Sequence, residues 1–195
     1  MSISAKSLSM ERPLVALFRL IDGFESIGID YVVVGSTASS LHGEYRASAD
    51  VDIVARIFKK QIESIVGNLQ DEFYIDDSSI AKAIERGRSF NVIHSEAIFK
   101  IDVFIAASEL AEQQLARREL HEVGNHKIWI ASAEDTILAK LDWYRRGNEV
   151  SELQWRDVKG ILGTQRSRLD FDYLRLWGAR AHVLDLLERA IADVE

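Results

Sequence analysis

The sequence predicts an α/β fold, a mixed β-sheet with helices on its faces followed by a C-terminal helical region. Three observations carry this. Short runs rich in β-branched and aromatic residues (31–34, 50–54, 97–105) alternate with stretches of helical period. The run ending at Val34 leads straight into Gly35-Ser36 and a small-residue segment, a strand–turn–helix pattern. From Ser132 onward only helical periodicity remains. The expected organisation is a core over residues 1–131 and a helical region over 132–195 packed on it.

The elements follow in order. Pro13 suits the first position of an opening helix, where its missing N–H costs nothing. Leu14, Leu17, Phe18, Ile21 and Phe24 then recur at helical spacing, and Gly28 ends the segment. Tyr31 to Val34 reads as a strand, Ser36 to Ser40 as a short helix, and Asp50 to Val54 as a second strand. Lys59 to Leu69 reads as a helix with Ile62, Ile65, Val66 and Leu69 on one face. Residues 73–75 suit a short strand, 80–86 a helix, and 89–94 a strand pairing with the run that ends at Ile105. That hairpin would bring Asp102 beside the strand of Asp50 and Asp52. Residues 110–118 read as helix, and Lys127 to Ile130 closes the sheet. Ser132 caps the next helix, with Asp135 three residues on, and Gly147 stops it. Another helix starts near Ser151, and the last spans 183–193.

Composition excludes several classes. A chain of 195 residues can bury one good core and a small helical appendage. There is no cysteine, so neither a disulfide framework nor a thiolate metal site is available. The segment MSISAKSLSMER has no apolar signal region, and no apolar run approaches the ~20 residues of a membrane span. A soluble, cytoplasmic protein with no membrane partner is expected. A net charge of −7 argues against a broad duplex-binding surface. Arginines and lysines do gather late in the chain, among them Arg145, Arg146, Arg156, Lys159 and Arg175. They read either as a solvated helix surface or as a groove for a polyanion such as tRNA. The five histidines show no metal-ligand spacing.

The chemistry concentrates between Tyr31 and Val54. Asp50 and Asp52 sit two apart in a strand, so they share one face while Val51 and Ile53 turn inward. Two unpaired carboxylates on one face repel, and a divalent cation resolves this. The alternative is a solvent-facing strand edge. Gly35 allows close backbone approach to a ligand, and the N–H groups and hydroxyls that follow suit phosphate. The plainer reading is a strand-to-helix turn capped by Ser36. Asp102 is a charge inside an apolar strand with Lys100 on the same face. It reads as a third site acid, and otherwise as half of an Asp102–Lys100 pair.

Taken together, Gly35-Ser36, then Arg46-x-Ser48-x-Asp50-x-Asp52, then a distant strand carrying Asp102 resemble the polymerase-beta-type nucleotidyltransferase superfamily. The resemblance implies that Gly35 and Ser36 contact a nucleoside triphosphate. It implies that Asp50, Asp52 and Asp102 bind two Mg ions and activate the acceptor, with Arg46 pairing an acid or touching phosphate. A narrower likeness lies in the second half. Lys140 on one helix and Arg156-Asp157 on the next are similar to the abortive-infection toxin-type nucleotidyltransferases of prokaryotes. There the matching lysine and aspartate are functional, which implicates Lys140 and Asp157; an ordinary helix–helix salt bridge is the other reading. Those toxins usually carry Lys-Asp where this chain has Arg156-Asp157, and they are usually longer. Trp143 and Trp155 read as packing residues. The expected reaction is attack by a hydroxyl or phosphate on the α-phosphate of an NTP, with release of pyrophosphate. The acceptor is an RNA, a protein or a small molecule. The rivals are a toxin held by an antitoxin partner and a non-catalytic nucleotide- or protein-binding relative.

Overall fold

The computed structural model describes residues 5–46, 48 and 50–194, with side chains from Pro13 onward. Residues 1–4, where the segment without a signal region begins, lie outside the described residues, as do the two positions flanking Ser48 and the last residue.

The chain opens with α1 (Ala5–Ser26), β1 (Asp30–Val34), α2 (Gly35–His42) and β2 (Asp50–Arg56). A 3-10 turn leads into α3 (Ile62–Leu69), β3 (Phe73–Tyr74) and α4 (Asp77–Arg86). The hairpin of β4 (Ser89–His94) and β5 (Phe99–Ile105) follows, then α5 (Glu109–Ala116) and a second hairpin, β6 (Glu119–Val123) and β7 (His126–Ile130). The rest is helical: α6 (Ala133–Arg146), α7 (Glu152–Gln165), α8 (Phe171–Arg180) and α9 (Leu184–Ala192). The strands form one mixed sheet in the order β3-β4-β5-β2-β1-β7-β6. Within it β2–β5 and β1–β7 are parallel and the other pairs antiparallel. Among the described residues no helix is long and apolar enough to cross a membrane.

Strand alternation decides where the core sits. Val33, Ile53, Ile101 and Val103 point to one face and meet Leu17, Leu20 and Phe24 of α1 together with Ile65 and Ile80. On the other face Val32, Val34 and Val54 meet Ala111 and Leu115 of α5. The last four helices bury their own cluster around Leu138, Leu141, Val158, Ile161, Leu174 and Leu187. Polar ties fix the start of α6 among its neighbours. Ser132 Oγ accepts from the Asp135 N–H. The fully buried Asp135 carboxylate takes the Tyr173 hydroxyl, and Glu134 accepts from Arg117. The tip of α2 lies so close to α7 that a Cβ on Gly43 would stand 2.9 Å from the Ile161 nitrogen.

Two expectations are corrected. Pro13 lies inside α1 rather than at its start, because the helix begins at Ala5. A proline there forfeits one backbone bond, which an element otherwise held by its buried face tolerates. The sheet also does not close at residues 127–130. The strand β6 adds one more edge, pairing Glu119–Val123 with His126–Ile130. Its sequence ELHEV is charged because an edge strand faces water, so the apolar pattern that betrays interior strands is missing.

Candidate active site

Register brings the acids together. Asp52 of β2 is the direct lateral partner of Asp102 on β5, and Asp50 is the partner of Lys100. The four side chains share one sheet face, three carboxylates and one ammonium at the corners of a quadrilateral. Lys100 Nζ donates to Asp102 Oδ2 at 2.6 Å and stands 3.9 Å from Asp50 Oδ2. The Asp102–Lys100 pair read in the sequence is therefore present, beside the other two acids. Ser48 holds Asp50 from the other side, its Oγ 3.0 Å from Oδ1. Among the described residues no hydrogen bond reaches the Asp52 carboxylate, and Lys140 and Lys100 only partly offset its surroundings. Burial, and then the charges of Asp50 and Asp102, push its carboxyl up to about 6.

Gly35 lies directly against Asp52. Its φ is +62°, and a Cβ there would stand 2.0 Å from Asp52 Oδ2. The position therefore demands glycine twice over, for the left-handed backbone and for the space. The next residue, Ser36, does not cap the helix, because α2 starts at Gly35. Its Oγ is buried and has no hydrogen-bond partner among the described residues. A buried hydroxyl left unpaired beside the N-terminus of α2 is suited to a phosphate oxygen.

Lys140 of α6 and Asp157 of α7 are in contact, Nζ to Oδ2 at 2.8 Å, and both side chains are 5% exposed. This is more than a helix–helix pair. Asp157 also accepts from Arg46 Nη2 at 3.3 Å and from Ser39 Oγ at 3.3 Å, and Lys140 donates to Gln154 Oε1 at 3.1 Å. Burial works to raise the Asp157 carboxyl, but the bonds from Lys140 and Arg46 outweigh it and hold it below the usual carboxylate range. Two cations share one carboxylate, so the Arg46–Lys140–Asp157 group carries one net positive charge, which lies with Asp50 and Asp52 in the lining of the same cleft.

The cleft is a cavity of about 540 Å³ between the sheet and α6. Gly35, Ser36, Arg46, Asp50, Asp52 and Lys140 line one end, and Val54, Phe104, Leu110 and Trp143 line the other. All the sequence-predicted site residues thus gather around one place, though Asp102 and Asp157 stand behind the lining rather than in it. Sequence reasoning missed Trp143. It is 53% exposed rather than packed, and its ring meets Phe104 edge-on at 5.9 Å. The available signal was its position three residues after Lys140, on the same helix face. Trp155, by contrast, is packed as expected, against Tyr144 and beneath Arg189. Of the late basic residues, Arg145 pairs with Asp185, Arg146 with Asp142 and Arg175 with Glu188.

The donor set around Asp52 is all oxygen, which suits a hard divalent cation such as Mg. Among the described residues no three acids or histidines are drawn together as a finished metal centre; Lys100 supplies the local counter-charge instead. Burial first, and then the charges of Asp50 and Asp102 that Lys100 does not offset, keep the Asp52 carboxyl raised.

A family model described as a nucleotidyltransferase of unknown function (DUF6036) matches residues 14–175. No curated protein matches the chain. Among solved structures, an antigenic nucleotidyltransferase-like protein from Paracoccidioides brasiliensis is similar with a TM-score of 0.54 and 15% identity, over 97% of this chain and 94% of that one. The antibiotic-resistance factor ANT(2″)-Ia, in complex with adenylyl-2″-tobramycin, is similar with a TM-score of 0.55 and 10% identity, over 86% of this chain and 95% of that one. At such identities the likeness is one of fold.

Proposed function

The chain belongs to the DUF6036 nucleotidyltransferases, and from that premise we propose that it moves a nucleoside monophosphate from an NTP to a hydroxyl of an RNA, a protein or a small molecule, with Mg as cofactor. The observation that carries this is the meeting of three carboxylates on adjacent strands with the unpaired hydroxyl of Ser36 and the glycine pressed against Asp52. The adenylyl product bound to ANT(2″)-Ia supports a small-molecule acceptor as one form of the reading.

Residues 1–131 carry the reacting groups and 132–195 the opposite wall. Gly35 and Ser36 receive the β- and γ-phosphates, and Arg46 and Lys140 offset their charge. Asp50, Asp52 and Asp102 would hold the metal, which supplies Lewis-acid polarisation of the phosphoryl oxygens when bound. Asp102 takes the proton of the acceptor hydroxyl. The acceptor oxygen bonds to the α-phosphorus, the bond from that phosphorus to the bridging oxygen breaks, and pyrophosphate leaves with the electron pair. Asp157 holds Lys140 and Arg46 in place and takes no part in the transfer itself.

A toxin paired with an antitoxin is the second reading. The contact between Lys140 and Asp157 favours it, since that pair carries the likeness to the abortive-infection toxins. One experiment tests both. Each α-labelled NTP is incubated with the protein, Mg and total RNA, total protein or a small-molecule cell extract, beside Asp52→Ala. Label that disappears in the variant is expected and names the nucleotide. Growth arrest on expression, relieved by the same substitution, identifies the toxin. NTP binding without any label under these conditions, small-molecule acceptors included, overturns catalysis and leaves a binding module.

A further inference from the structure

The apolar end of the cleft has a polarity that the phosphate chemistry does not use. Thr136, Ala139, Lys140, Trp143 and Arg146 form one face of α6 and all line the cavity. Lys140 lies within electrostatic reach of Asp52, while Trp143 meets Phe104, the lateral partner of Val54. The helix and β2 therefore change from polar to apolar side by side. On the helix the step from Lys140 to Trp143 rises about 4.5 Å. On the strand the step from Asp52 to Val54 spans roughly 6.5–7 Å. That interval is about one ribose long.

The far end is flat and neutral. Val54, Phe104, Leu110, Ala111 and Leu153 line the same cavity as the indole, and two charged residues of that lining, Asp142 and Arg146, satisfy each other at 3.0 Å. The Trp143 and Phe104 rings meet in a T-shaped contact, and Trp143 remains 53% exposed. An indole left half-exposed in a cleft is a stacking surface without a partner. Lys100 and Asp102 do not line this cavity. They face the uncovered flank beside Asn91, the exposed partner of Asp102 on β4.

We propose that Trp143 and Phe104 form the nucleobase subsite, with the base of the donor NTP stacked on the Trp143 indole while its phosphates lie at Gly35 and Ser36. The proposal rests on the nucleotidyltransferase reading. It assigns each end of the cavity to one part of the same substrate.

The test is equilibrium binding by calorimetry of two probes, ATP and inorganic tripolyphosphate, both with Mg, to the wild type, Trp143→Ala and Trp143→Phe. Loss of one base–aromatic stack weakens binding roughly 5- to 100-fold. Trp143→Ala is therefore expected to weaken ATP by at least about 5-fold and to leave tripolyphosphate unchanged. Trp143→Phe should recover most of the loss, and quenching of tryptophan emission by ATP should vanish in it. Equal affinity of the wild type for ATP and tripolyphosphate would overturn the subsite while leaving the phosphate site standing. An equal loss of both probes in Trp143→Ala would also overturn it. Failure of both probes to bind the wild type would overturn the nucleotide reading itself, and the subsite with it.

Discussion

Burial and the carboxylates of Asp50 and Asp102 push the Asp52 carboxyl up to about 6, against 3.8 for the free side chain. Below pH ~4 the group is protonated in folded and unfolded chains alike and costs nothing. Between pH ~4 and ~6 the unfolded chain ionises first, so native stability falls as pH rises through the native value. Asp52→Asn removes the penalty. In the metal-free protein we expect it to raise unfolding stability at pH 7.5 by up to about 3 kcal/mol and to have almost no effect at pH ~3, as read from urea titrations. Transfer activity should be lost at both. A stability that does not depend on pH in this comparison would show that Asp52 is not strained by its neighbours. Gly35 makes the complementary case. In Gly35→Ala a methyl group would occupy space 2.0 Å from Asp52 Oδ2, so the carboxylate must turn away. The left-handed backbone adds about 1–2 kcal/mol of strain. Circular dichroism should show the fold intact, while ATP binding weakens at least about tenfold; unchanged binding would remove Gly35 from the site.

Helices α6 and α7 meet through a buried charge, and the two partners are not equivalent. Removing Asp157 strands Lys140 and leaves Arg46 without its partner. Asp157→Ala should cost about 3–5 kcal/mol in urea unfolding. Lys140→Met leaves Asp157 bonded to Arg46 and Ser39 and fills the volume with an apolar chain, so its cost should be about 2 kcal/mol or less. The reverse order of the two variants would mean that Lys140 and not Asp157 anchors the contact. At this scale the sequence was readable wherever burial imposes a period. The strands of Asp52 and Asp102 and the hairpin that joins Asp102 to them were visible in the alternation of Val51, Ile53, Ile101 and Val103. The edge strand β6 was not, because Glu119 and Glu122 face water and carry no pattern. Pro13 misled for a related reason. Proline marks a helix start only where nothing else holds the preceding turn.

The molecule sets a sheet carrying acids against a helical wall carrying cations, and the cleft is what lies between them. Its composition could be read from Gly35-Ser36 and the spaced aspartates, since those residues lie close in sequence or in adjoining strands. Its geometry could not. Arg46 and Asp157 are 111 positions apart, and no local pattern tells an arginine before an acid pair that its partner sits on a helix near the other end of the chain. Trp143 was misread on the same account: a helical period shows which face a residue occupies, but not whether that face meets a neighbour or a cavity.

The sharing of Asp157 between two cations has a further consequence for turnover. Under the proposed function a triphosphate entering the cleft would compete for Arg46 and Lys140, yet drawing either one away would leave the other bonded to the carboxylate. Loading and emptying can then proceed by exchange of partners, one cation at a time. At no point in such an exchange would the buried Asp157 carboxylate stand without a cation.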